Sequence, residues 1–395
     1  IKSYFEKFHA YCPVLIEEDF LSRFNDKSTN IDSIQEEGNR DTIWKVLCNT
    51  VVTIGAWFQD GNSSNAHQYY FTKTMNYLND SKILLFSSSI DLIIALHLLS
   101  IYLTAKNSLL VNLNSAYQFN GLAMRMALSL GLNIVPGNLT TIDIDEKLFL
   151  QRKLIWFSLV NQDILLNCSF DRPNLFNSLN FLDEKDLAID KNQTQDVLIN
   201  EFILRTQLFQ KTVIKIYETP GFTFTHLYAI YQEFVTIINE IKNCASYFLL
   251  ELQRILLVNF LFRKFLSINP SIVETNFAQI LDLINELNTK SLKSIDSHIT
   301  NNFNKLTPLV SWFTVCFLFE FSITLLKLFF NCINSTSEQI RHKWTNLINI
   351  LKSITRYLHI FKNLEFLPHS MLDIHLNLLE NIILHFDQAI TTTNT

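Results

Sequence analysis

Glycine and proline turn a chain or end its regular elements, and here they number only 7 each in 395 residues. Average usage of roughly 7% and 5% would place several times more. A many-stranded sheet needs turn residues every few positions, so this chain is confined to long elements with few breaks. It is 48% hydrophobic and 17% charged, against about 25% charged in an ordinary domain, so those elements have a large core to bury. The reading is an all-α fold, an irregular array of about 12–15 helices with no sheet. No repeat of solenoid period is present.

Apolar spacing predicts helices over 1–10, 17–24, 41–59, 64–79, 88–106, 111–130, 144–169, 196–218, 223–242, 245–267, 274–301, 306–332, 337–363 and 366–389. Breaks support several of them. Asp60-Gly61 ends one helix, Gly131 follows another as a left-handed cap, and Asp143 with Glu146 reads as an N-cap pair. The polar stretch "NFLDEKDLAIDKNQTQD" separates two helical halves, giving 1–180, a loop at 181–196, 197–390 and a frayed tail at 391–395.

Charge and motifs narrow the function. Thirty-seven acids against 32 bases give a net charge of −5 with no long run of either sign. Such a balance does not grip a phosphate backbone. The six cysteines are scattered without C-x-x-C spacing and read as buried reduced thiols, so no metal site is expected within this chain. The longest strongly apolar runs, 306–319 and 92–105, fall short of the roughly 20 residues that span a bilayer. No phosphate loop, dinucleotide fingerprint, nucleophile elbow or metalloprotease motif occurs. No residue is expected to be catalytic, to bind a cofactor or to ligate a metal.

One arginine raises a physical problem. In "GLAMRMALSLGLN" (121–133), Ala123, Met126, Ala127 and Leu130 share one helical face, while Leu122, Leu128 and Arg125 share the other. Both faces are apolar, so the helix is expected to be covered on both. A guanidinium in such a place cannot go unpaired without a cost of several kcal/mol. Arg125 is therefore expected to be internal and bonded to Asp163 or Asp171. On the helix 144–169, Arg152, Trp156 and Asp163 fall in one stripe beside a second apolar stripe, and Arg172 is a further base nearby. The expected site is a buried polar cluster of Arg125, Arg152, Asp163, Asp171 and Arg172, with a structural or regulatory role.

At these residues the chain resembles the middle homology region of the fungal zinc binuclear-cluster transcription factors. "YFEKFHAYCPVLIEEDFLSRF" (4–24) is similar to that family's opening motif, and "GAWFQDG" (55–61) stands where the family has a Gly-Ala helix end. In "YQFNGLAMRMALSLGLN" the matching positions are Gly121, Arg125, Met126, Ala127, Gly131 and Leu132. In "QRKLIWFSLVNQDILL" they are Arg152, Trp156 and Asp163, and Arg172-Pro173 close the motif. The chain departs at Asp171, where the family has Gly, and at Asn133, where His is frequent.

The resemblance implies a nuclear regulatory domain that restrains or directs activation. It also implies DNA contact through a zinc-bearing N-terminal module outside this chain, homodimerisation of the full protein, and a protein or small-molecule effector. Sugar or carbon metabolism is the implied target. Two other readings stand beside it: a helical scaffold or complex subunit on the same fold, and an all-α lipid-binding protein or enzyme, which would need convergent carboxylates that the chain lacks.

Overall fold

A computed structural model of the chain describes residues 1–28, 39–61, 64–80, 83–86, 88–106, 113–134, 146–170, 223–240, 253–260, 338–362 and 369–392, with shorter pieces between 212 and 326. Every described element is helical. A π-helical turn (Tyr4–Phe8) and a 3-10 turn (His9–Tyr11) precede α1 (Glu17–Ser28), α2 (Asn39–Asp60), α3 (Ala66–Asp80), α4 (Ile83–Phe86), α5 (Ile90–Lys106), α6 (Leu113–Ser129) and α7 (Glu146–Phe170). Then come α8 (Phe224–Glu240), α9 (Glu338–Lys362) and α10 (His369–Thr392). The first predicted helix, 1–10, is thus mostly tighter and wider turns. The last runs to Thr392, into the tail expected to fray.

The chain divides into two compact units. One comprises Ile1–Asn167 and Pro173–Gln210, the other Cys168–Arg172 and Lys211–Thr395. The polar loop expected at 181–196 lies outside the described residues, as do Asp143, Asp171, Arg172 and Pro173.

In the first unit α5 is the axis. Every residue from Leu92 to Ala105 is buried, its charges Asp91 and Lys106 lie at the two ends, and α2 and α6 pack against its sides. A helix apolar all round requires such a central place. The N-terminal turns close one side with an aromatic cluster. Phe8 meets Phe58 edge-on at 5.4 Å, Phe5 lies 5.8 Å from Phe20, and Phe20 lies 5.2 Å from Trp44. Offset and edge contacts of this kind add about 0.5–1.5 kcal/mol each beyond burial. Gly55 of α2 faces this segment: a Cβ there would lie 3.4 Å from the Tyr4 amide nitrogen, in van der Waals contact.

Two helix ends carry basic side chains on their exposed carbonyls. Lys7 Nζ donates to Phe58 O at 3.2 Å near the end of α2. Arg152 Nη2 donates to Leu130 O at 2.9 Å and Gly131 O at 3.1 Å, just past the end of α6. Cations there satisfy orphan carbonyls and oppose the negative end of the helix dipole. The α6 terminus is a Schellman turn: Leu132 N–H donates to Ala127 O and Gly131 N–H to Leu128 O, both at 3.0 Å, with Gly131 at φ 64°.

The second unit, described by itself, contains α8 and the α9–α10 pair, which pack on one another. His359 Nε2 bonds Glu380 Oε1 at 2.6 Å across that pair.

A Cβ at Gly131 would meet nothing within 4 Å, so Gly131→Ala should suffer only the left-handed backbone penalty. The expected loss is about 1 kcal/mol in the urea unfolding transition of the first unit, with Gly131→Asn losing less. No loss on Gly131→Ala would mean that the turn is not left-handed.

Candidate functional site

The structure corrects the expectation for Arg125. It is exposed, on a face of α6 shared with exposed Asn114, Gln118 and Ser129, while Leu122 and Leu128 flank that face half-buried. Apolar residues on two faces did not mean two covered faces, because much of any protein surface is apolar. Arg125 therefore does not pair internally with Asp163. Asp163 is buried at 1% exposure and accepts from Asn167 Nδ2 at 3.0 Å, one turn along α7. Arg152 is half-buried and caps α6. Trp156 is buried in α7 and Gly121 in α6.

Internal cations do exist elsewhere. Lys153 is buried in α7 with its ammonium 4.6 Å from the Phe149 ring centroid. Arg254, in the second unit, is 2% exposed and stands 5.7 Å from the Tyr231 ring centroid.

What the core of the first unit holds instead is a polar seam that the sequence reading missed. His97, Ser100 and Thr104 lie along one stripe of α5, facing Ala116 and Asn120 of α6 and Ser158 and Gln162 of α7. Ser158 Oγ is 2.6 Å from His97 Nε2, and Asn120 Oδ1 is 3.2 Å from His97 Nδ1. Cys12, from the segment after the N-terminal turns, sets its sulfur 3.1 Å from Ser158 Oγ and 3.5 Å from His97 Nε2. Asn120 Nδ2 donates to Leu159 O at 3.2 Å and to Met124 Sδ at 3.5 Å.

The proton positions follow. Both Asn120 amide protons are taken by acceptors, so its oxygen faces His97, and His97 Nδ1 must be the donor. His97 Nε2 is then an acceptor, served by the Ser158 hydroxyl, and Ser158 Oγ in turn accepts the Cys12 thiol proton. The result is a one-way chain from thiol to hydroxyl to imidazole to amide to backbone carbonyl.

A second layer lies one to two turns further along α5. Gln162 Nε2 donates to Thr104 Oγ1 at 2.9 Å and to Ser100 Oγ at 3.4 Å. Those hydroxyls donate to Ser100 O at 2.8 Å and Ala116 O at 2.7 Å. Beyond it, His67 Nδ1 and Tyr102 OH meet at 2.8 Å, tying α3 to α5.

Ser158, His97 and Asn120 have the bonding order of a nucleophile, its base and an orienting amide. Burial denies them that chemistry: His97 is 0%, Asn120 1%, Cys12 2% and Ser158 4% exposed. Ser158 also sits inside α7, whose amides are spent on the helix ladder, so none is left to hold an oxyanion. Electrostatics agree. Burial lowers His97 to a pKa of about 4, partly offset by Asn120, and pushes the Cys12 thiol up to about 12. Both stay neutral at physiological pH, and the thiol stays inert. The seam is a clasp.

Sequence carried a signal for it, namely polar residues at i, i+3 and i+7 in "HLLSIYLT" within an otherwise apolar helix. Among the described residues no group of three His, Cys, Asp or Glu is placed to hold a metal. No described helix is long and apolar enough to cross a membrane.

Residues 1–356 match the fungal specific transcription factor domain family. A curated relative, the lactose regulatory protein LAC9 of Kluyveromyces lactis, is 31% identical over 185 residues, which is 46% of this chain. The match spans only 19% of that relative's own length. No solved structure matches.

Because the folded pKa of His97 lies below its unfolded value near 6.5, the unfolded chain binds the extra proton between these values. Stability is therefore full above pH about 6.5 and falls as pH drops toward 4, by about 3 kcal/mol in all. Half-buried His9, whose pKa is also lowered by partial burial, adds in the same direction. Urea unfolding from pH 7 to 4.5 should show this slope, and His97→Gln should flatten it. An unchanged slope in His97→Gln would remove the neutral-imidazole assignment.

Proposed function

The chain belongs to the fungal specific transcription factor domain family, and from that premise we propose that it is the regulatory region of a sugar-responsive transcription factor. The observation that carries the proposal is the family match across 1–356, joined to the likeness over 185 residues to a protein whose name records lactose regulation. The motifs at 4–24, 117–133 and 151–166 also resemble those of the galactose-pathway activator of budding yeasts.

In this reading the domain acts in the nucleus, and DNA is reached through a separate zinc-bearing module, consistent with the acidic balance of this chain. Its work is to hold activation in check and to release it on a carbon-source signal. The buried seam suits that task. It joins Cys12, α5, α6 and α7 through bonds that are all satisfied or all compromised together, so a modest push on one segment is felt by the others.

The test fuses residues 1–395 between an unrelated DNA-binding module and an unrelated activation segment in yeast carrying a matching reporter. Output should be low on a neutral carbon source and rise severalfold on galactose or lactose in a host able to take them up. Ser158→Ala, which removes a buried hydroxyl worth about 1–3 kcal/mol, should raise the uninduced level. High output on every carbon source would remove the restraint, and low output on every one would remove the sugar signal.

A further inference from the structure

Between α1, α2, the start of α5 and the start of α7 lies a cleft of about 250 Å³. Its floor is apolar, with Phe20, Leu47 and Ile94 each nearly inaccessible. Asp19, Arg23, Asp91 and Gln151 stand around it. We propose that this cleft binds a small neutral polyhydroxylated molecule of monosaccharide size, an inference that rests on the sugar-responsive reading above and gives it a site.

The polar groups are held in place before any ligand arrives. The Arg23 guanidinium lies 3.8 Å from the Trp44 ring centroid and is pinned at 2.6 Å to Asp91 Oδ2 across the cleft. Asp19 is paired with Lys147 of α7 at 2.9 Å. Stacking and pairing together restrict a side chain that otherwise carries much rotamer freedom. Gln151 is anchored by donating to Val14 O at 3.3 Å.

Charge selects the class of ligand. The two carboxylates, Arg23 and Lys147 sum to zero, and each charge already has its partner. A phosphate or carboxylate would meet two acids and no spare cation, and a free cation would have to break an ion pair. A neutral polyol breaks neither pair. Its hydroxyls can accept from the remaining Arg23 N–H groups and donate to the unused lone pairs of Asp19 and Asp91, while its C–H face lies on Phe20, Leu47 and Ile94. Size selects further, because 250 Å³ is below the roughly 300–1,000 Å³ of sites for drug-sized ligands.

The position is apt for signalling. Asp91 is in the first turn of α5, the helix that carries His97 of the seam, and Gln151 lies two turns before Ser158 on α7. Occupancy of the cleft thus bears on two of the helices that the seam joins.

The experiment is calorimetric titration of residues 1–395 with D-galactose and D-glucose, with galactose 1-phosphate and lactose as charge and size controls. One of the two hexoses should bind saturably with a millimolar Kd, and the phosphate and the disaccharide should bind more weakly. Ile90→Trp, which puts a larger apolar side chain into the cleft lining, and Asp91→Asn should each weaken binding by about tenfold or more, with the helical circular dichroism of both unchanged. Saturable binding that survives Ile90→Trp in a folded protein overturns the site. Absence of hexose binding, or preference for the phosphate, overturns the ligand class. The reporter fusion separates this from the broader reading: a carbon-source response that persists in Ile90→Trp leaves the sugar-responsive role standing and removes only the cleft.

Discussion

His97 is an ionisable ring placed on the axis helix of an apolar bundle, and that placement is tolerated only because both its nitrogens are answered. An imidazolium there would need a carboxylate within reach, and the groups around the ring are Ser158, Asn120 and Cys12, none of them acidic at neutral pH. Neutrality then forces a single direction on every proton in the chain. Reverse one donor and two acceptors face each other at about 3 Å, inside a medium where an unmet polar group costs about 1–3 kcal/mol. The four segments that meet at this ring have, in consequence, one mutual register.

Around that clasp the remaining interactions are ordinary and many. Aromatic edges bind the N-terminal turns to α2, Arg152 and Lys7 close helix ends with their charge, and Gln162 with two hydroxyls repeats the polar logic further along α5. Exposed ion pairs such as Lys2 with Glu6 add little, since solvent screens them. The hydrophobic effect supplies most of the stability but is nearly indifferent to register. The seam supplies direction, because a slipped helix would bury a histidine, two serines and two amides without partners.

Several long helices are legible in the sequence to within two residues: the period predicts 88–106 where α5 spans Ile90–Lys106, and 337–363 where α9 spans Glu338–Lys362, whereas the short α4 carries no such signal and 1–10 is mostly π and 3-10 turns. Period and scarce glycine determine such elements locally, and Gly131 marked its own turn. Which face of a helix is covered is not local. Apolar neighbours point Arg125 inward, yet α6 has one covered face and α5, whose two charges stand only at its ends, is the helix surrounded on all sides. The same limit hid the clasp. Cys12, His97, Asn120 and Ser158 are far apart in sequence, and each alone looks like an ordinary polar residue of a segment or helix. Only the stripe of His97, Ser100 and Thr104 announced that α5 had a polar side. Asp163 was correctly placed in the interior, but its bonded neighbour Asn167 lies on its own helix.

The account turns on the protonation of one ring, and nitrogen chemical shifts report it directly. In protein labelled with ¹⁵N-histidine, His97 should show a neutral ring with the proton on Nδ1, and should keep it as the pH is lowered from 7 to about 5. A resonance assigned through His97→Gln that instead shows the proton on Nε2, or an imidazolium titrating near the unperturbed pKa of about 6.5, would contradict the one-way chain and with it the clasp.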